Sequence, residues 1–242
     1  MSAIAERTVR ELVVENPELT RVFERLGIDY CCGGGKSLEE ACRAAGVPVD
    51  SAAASVGAAA EAARTPRQGR DWSSAPLADL IDHIKSTHHE FTRSEIARLE
   101  PLFGKVIAAH GKNHAELAQI RDVFDGLADE LAMHLMKEEM MLFPYIERLE
   151  EAALEHRPAM PAPFGTVGNP VRMMMQEHDS AGEALRTMRR LSDGYAAPGG
   201  ACISYQTLYR ALEGLEADLH QHIHLENNIL FPRAIELERA QA

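Results

Sequence analysis

One phrase occurs twice in this sequence. Residues 130–144 read Glu-Leu-Ala-Met-His-Leu-Met-Lys-Glu-Glu-Met-Met-Leu-Phe-Pro, and residues 218–232 read Asp-Leu-His-Gln-His-Ile-His-Leu-Glu-Asn-Asn-Ile-Leu-Phe-Pro. Both copies follow acid-Leu-x-x-His-x-x-x-Glu-x-x-x-Leu-Phe-Pro, at a constant offset of 88 residues. On a helix, His and Glu four positions apart lie on one face, a turn apart. The pairs His134/Glu138 and His222/Glu226 can therefore each aim an imidazole and a carboxylate at one ion or at adjacent ions. Glu130 and Asp218, four residues before each His, extend the same face by a turn and are expected to support the ligands from behind or to line an ion path.

Two further histidines fit this symmetry, His83 after Asp82 and His178 after Glu177. A single His on an apolar face is most often an ordinary core residue. Four His and two Glu in a duplicated arrangement are better explained as a metal site. Structural zinc prefers a closed set of four ligands, often thiolates. Four imidazoles and two carboxylates in a helical core instead suit a pair of harder, six-coordinate ions bridged by the carboxylates, with about one position per ion left open. Glu177, beside a ligand and about 100° around the helix from it, can reach the site only from the side. Gly182, one turn after His178, is expected to leave room for a small ligand.

These residues require long helices. From Pro76 onward the apolar positions recur with helical spacing, as in Leu77, Leu80, Ile81 and Ile84. Pro101 and Gly104 are expected to kink or end the first helix. A second runs from about Asn113 through His134 and Glu138 to Pro144 or beyond. A proline-rich connection over 157–170 precedes a third helix starting at Asn169-Pro170. Pro198-Gly199-Gly200 precedes the fourth. The result is an up-down four-helix bundle over 76–242. No alternating strand pattern appears, so the fold class is all-α.

The first 64 residues read as short helices in a separate small domain, with 65–75 as a linker. Thr8 caps one helix, Asn16-Pro17 starts the next, Gly27 ends it, and Ser37-Leu38-Glu39-Glu40 is a capping box. Asp50 is expected to cap an alanine-rich helix over 51–64. Between these helices lies Asp29-Tyr30-Cys31-Cys32-Gly33-Gly34-Gly35, a loop whose glycines imply unusual backbone angles or close approach.

The 242 residues carry a formal net charge of −12. Residues 71–242 carry almost all of it, so the bias sits with the bundle. This argues against a nucleic-acid backbone or an anionic membrane as partner. No signal-peptide pattern and no bilayer-length apolar run is present. A cytoplasmic protein is expected, with four reduced cysteines suited to metal or redox roles.

The region 76–238 resembles a hemerythrin-like domain. Placed after the Asp29-Tyr30-Cys31-Cys32-Gly33-Gly34 loop, it makes the chain resemble the di-iron iron–sulfur cluster repair proteins (the RIC family, YtfE/ScdA type). That resemblance implies two irons per chain, oxo- and carboxylate-bridged, held by His83, His134, Glu138, His178, His222 and Glu226. It implies action on iron–sulfur proteins damaged by nitric oxide or oxidative stress, with iron supply as the mechanism. Nitric oxide reduction is also associated with the family. A carrier or sensor of oxygen or nitric oxide is the competing class, and whether the chain forms a homodimer is left open.

Cys31 and Cys32 are expected to act as a thiol relay or in iron transfer. Adjacent Cα atoms sit about 3.8 Å apart, closer than an unstrained disulfide wants. The flanking His220 and His224 are expected to be exposed, and Cys42 and Cys202 to be buried thiols. His88, His89, His110 and His114 fit neither repeat.

Overall fold

The computed structural model describes residues 4–62, 70–158 and 161–241, and no strand is present among them. The start of the expected linker, residues 65–69, lies outside the described residues. The described chain divides into two compact units. One comprises Met1–Pro76 with Ile223–Arg233, and the other Leu77–His222 with Ala234–Ala242.

In the first unit, α1 (Val9–Glu15) begins with a full capping box between Thr8 and Glu11, and α3 (Leu38–Ala45) with one between Ser37 and Glu40. Both remove backbone donors that a helix start leaves without intrahelical partners. Helix α2 (Leu19–Leu26) ends at Gly27 and α3 at Gly46, each in the left-handed conformation that glycine adopts without strain. Helix α4 runs over Val49–Ala62, so Asp50 lies in its first turn rather than capping it. Val9, Leu12, Val13, Phe23, Leu38, Cys42 and Val56 form the small core, which Ile223 joins.

The second unit is built on four helical runs. The first is α5 (Leu77–His83), a π turn over Ile84–His89 and α6 (Glu90–His110). The second is α7 (Glu116–Lys137), a π turn over Glu138–Leu142 and α8 (Phe143–Leu154). The third is α9 (Gly168–Leu191). The fourth is α10 (Ile203–Leu225), a π turn over Glu226–Leu230 and α11 (Phe231–Ala240); the boundary between the units falls inside α10. Carboxylates from other helices cap two of the starts. Glu150 accepts from the amides of Leu77 and Ala78 at 2.7 and 2.9 Å, and Glu238 accepts from that of Val167 at 3.0 Å.

Neither Pro101 nor Gly104 ends the first run, since α6 continues through both to His110. The Leu-Phe-Pro phrases mark where the hydrogen-bond ladder changes. Phe143 N–H donates to Glu138 O and Phe231 N–H to Glu226 O, five residues back instead of four. A proline placed directly after such a turn removes a donor where the α pattern is already interrupted, so the helix passes on.

The apolar core of this unit is made by Leu99, Phe103 and Val106, by Leu117 to Leu131, by Leu185 and Met188, and by Tyr205 to Leu219. Along α6 and α9 these residues follow His89 and His178. Along α7 and α10 they precede His134 and His222. Antiparallel runs thus put this apolar cluster on one side of the histidines, and a second set of buried apolar side chains, including Leu80, Ile81, Phe143, Ile146 and Met174, on the other.

Candidate metal centre

Two groups of ligand-type side chains meet in the interior. One is His89, Glu138, His222 and Glu226, and the other is His134, Glu138, His178 and Glu226; in each, the ligand atoms lie within 4.8 Å of one another and every residue is buried. Glu226 sits one turn beyond His222 on the same helical run. Both carboxylates belong to both groups.

The imidazoles are oriented from behind. His134 Nδ1 is 2.9 Å from Glu177 Oε2, and His89 Nδ1 is 2.7 Å from Glu139 Oε1. A carboxylate there accepts the Nδ1 proton and leaves the Nε2 lone pair for an ion. Burial pushes the Glu177 carboxyl up, but hydrogen bonds from Lys137 and His134 outweigh it and hold the group below its ordinary range. Glu139 is lowered in the same way, with His89 and Arg93 overcoming its burial. Both therefore stay ionised and able to accept.

The Nε2 atoms face each other in pairs, His89 to His222 and His134 to His178, each at 3.1 Å. Two nitrogens about 2.1 Å from one ion lie about 3.0 Å apart at a right angle and about 3.4 Å apart at the tetrahedral angle. The observed spacing is nearer the right angle. Glu138 Oε2 lies 3.5 Å from His89 Nε2 and 3.4 Å from His134 Nε2, between the two pairs. The donor set and its spacing fit six-coordinate ions.

Of the residues expected from the sequence, His134, Glu138, His178, His222 and Glu226 are brought together. His83 is not. It is half-buried, with Nδ1 3.1 Å from Thr87 Oγ1 and its ring 5.6 Å from that of His88. His89, which the repeat did not select, stands in its place. A signal for it existed: counting 88 back from His178 reaches Glu90, whose neighbour is His89, whereas His83 is seven residues away. The π turn over Ile84–His89 shifts the phase of the following side chains, and apolar periodicity does not register that shift.

The supporting acids also divide. Glu177 reaches His134, and Glu139, which the sequence reading overlooked, reaches His89. Asp218 instead binds His88, Oδ1 to Nδ1 at 2.9 Å, and the His88 ring lies nearly parallel to that of His222 at 5.8 Å. Glu130 is exposed. A Cβ on Gly182 would meet the Arg186 guanidinium at 3.4 Å, so that side chain borders the space expected there.

Two further expectations are corrected. His224 is buried, 2.9 Å from the Asn228 amide and edge-on to Tyr30, and burial lowers its pKa to about 4. Cys202 is exposed, whereas Cys42 is buried as expected.

In the first unit, Cys31 and Cys32 are free thiols, the former buried and the latter half-buried. The Cys31 thiol is held well above its ordinary value, by its hydrogen bond to Cys32 and then by burial. None of the three loop glycines has positive φ. Close approach explains two of them: a Cβ on Gly33 would meet the Asp29 carbonyl at 2.6 Å, and one on Gly34 would meet Asn228 Oδ1 at 2.5 Å.

A helical bundle with paired His/Glu groups is the arrangement of the hemerythrin HHE cation-binding domain, whose family model matches residues 79–234; a second, ScdA_N, a domain of unknown function (DUF542), matches residues 5–60. Relatives match nearly the whole chain. The iron-sulfur cluster repair protein YtfE of Pectobacterium atrosepticum is 33% identical over 96% of this chain and 98% of its own length. That of Edwardsiella ictaluri is 35% identical over 95% and 97%. The probable iron-sulfur cluster repair protein of Haemophilus influenzae is 32% identical over 96% and 98%. The chain belongs to this hemerythrin-like family of iron–sulfur cluster repair proteins. No described helix is long and apolar enough to cross a membrane.

Proposed function

We propose that the chain is a cytoplasmic repair protein that holds two irons and passes iron to iron–sulfur clusters damaged by nitric oxide or oxidants. The observation that carries this reading is the sharing of Glu138 and Glu226 by both histidine groups. Carboxylates common to two groups are suited to bridge two ions, one on His89 and His222, the other on His134 and His178. Bound iron would supply a redox-active centre. The chain's own residues hold the imidazole protons at Nδ1 through Glu139 and Glu177, and they keep water from both bridging carboxylates by burying them completely. The full-length likeness to proteins named for cluster repair supports the choice of client. The Cys31/Cys32 pair serves as a thiol relay or iron carrier on the separate small domain.

Anaerobic incubation of iron-loaded protein with a hydratase whose four-iron cluster has been damaged by nitric oxide tests the reading. Restored hydratase activity, with matching iron loss from the bundle, is the expected result. Repeated turnover of nitric oxide without restoration would make the protein a reductase, and a stable gas adduct alone would make it a carrier or sensor.

A further inference from the structure

We propose that the loop around Cys31 and Cys32 is itself a mononuclear cation site, in which Asp29, Cys31 and Cys32 hold one divalent ion of the zinc or ferrous type through two sulfurs and one oxygen. It rests on the repair reading for its use and on the loop's geometry for its existence. The three side chains offer ligand atoms within 4.8 Å of one another. The two Sγ atoms are 3.9 Å apart, and Cys31 Sγ is 3.4 Å from Asp29 Oδ1. A tetrahedral ion with bonds of about 2.3 Å to sulfur and 2.0 Å to oxygen separates two sulfurs by about 3.8 Å and a sulfur from an oxygen by about 3.5 Å. The loop already has both spacings. Small shifts of the side chains would therefore suffice to close it on an ion.

The loop is held in that shape by its own backbone and by the helical segment packed on it. Asp29 Oδ1 accepts from the amides of Cys32 and Gly33 at 2.9 and 3.0 Å. Asn228 donates to the carbonyl of Tyr30 at 3.0 Å and accepts from Arg10 Nε at 2.8 Å, while Asn227 donates to the carbonyl of Cys31 at 3.3 Å. Gly33 and Gly34 permit the close approaches that a Cβ would block. Backbone positions fixed from both sides make a site prepared before the ion arrives. Two thiolates favour a borderline or soft ion over the hard ions that an all-oxygen set would take. Three protein ligands leave the fourth tetrahedral position open, the pattern of reactive rather than structural sites. A client's thiolate could enter there.

Cobalt(II) is a suitable probe, because thiolate ligation gives it an intense near-ultraviolet charge-transfer band. Reduced full-length protein with its bundle already loaded with iron is titrated anaerobically. One cobalt per chain with that band is expected, with the bundle iron unchanged. Cys31→Ser with Cys32→Ser should abolish the band, and Cys32→Ser alone should weaken it. Asp29→Asn keeps an oxygen for the loop amides but loses the charged ligand. Even the loss of an outer partner costs metal sites about 10–100-fold in affinity, so this variant should bind cobalt at least about tenfold more weakly. No thiolate band, or a band surviving in the double serine variant, overturns the site. An Asp29→Asn variant that folds and binds cobalt unchanged overturns the three-ligand set. Each result is read independently of hydratase restoration, so a failed site with intact repair and a failed repair reading with an intact site are distinct outcomes.

Discussion

His89 is fully buried, with one ring nitrogen on Glu139 and the other facing His222; His83, six residues earlier, is half-buried and bonds its own helix at Thr87. Replacing His89 with Ala should therefore remove most of the bundle iron, and His83→Ala should leave it in place. Iron analysis of the two purified variants decides the matter, and the reverse pattern would restore His83 as the ligand. The residue types of this site were legible in the sequence because the His-x-x-x-Glu spacing is repeated. The choice between His83 and His89 was not, since it depends on helix phase. Cys202 shows the same limit. The amides at the start of α10, with Tyr205 N–H foremost and then the His110 imidazole 3.1 Å away, lower its thiol from the usual range to about 7. A thiol lowered in this way gains thiolate as pH rises through about 7, where ordinary thiols remain protonated. Its alkylation rate should reach half-maximum near that pH, and His110→Ala should move the midpoint upward. An unchanged midpoint would remove His110 from the account. Only the meeting of α6 and α10 puts that histidine beside the cysteine.

At the scale of elements, each π turn carries a site residue at its edge: His89 ends one, and Glu138 and Glu226 begin the others. The widened turns lie where the long helices pass the grouped histidines and carboxylates. The cap at Thr8, the capping box at Ser37 and the glycine stop at Gly27 were legible because a helix end needs a local partner for its backbone groups. Pro101 does not end the first bundle helix, and its cost to α6 is outweighed by the burial of Leu99, Phe103 and Val106 around it. Pro101 is itself exposed, so Pro101→Ala restores a backbone donor without disturbing the core. Thermal or denaturant unfolding should show a gain of about 1–3 kcal/mol. A loss of stability would mean that the proline sets a bend the bundle needs.

For the whole molecule, the buried polar groups lie between apolar layers of the bundle, where they are costly until paired or ligated. Iron bound only by the folded chain should raise its melting temperature, and removal by a chelator should lower it. Equal melting of the two forms would uncouple the site from the fold. From composition and turn residues the sequence is read as a small cysteine-bearing domain followed by a helical bundle. That residues Ile223–Arg233 group with the small unit was not legible, because their pattern continues the helix that carries His222. The central claim is a pair of irons joined by Glu138 and Glu226. Its most direct test is the iron content and Mössbauer spectrum of anaerobically reconstituted protein, beside Glu138→Ala and Glu226→Ala. Two irons per chain with the magnetic coupling of a bridged pair are expected, with that coupling lost in either variant. A single ion, or two uncoupled irons indifferent to both substitutions, would contradict it.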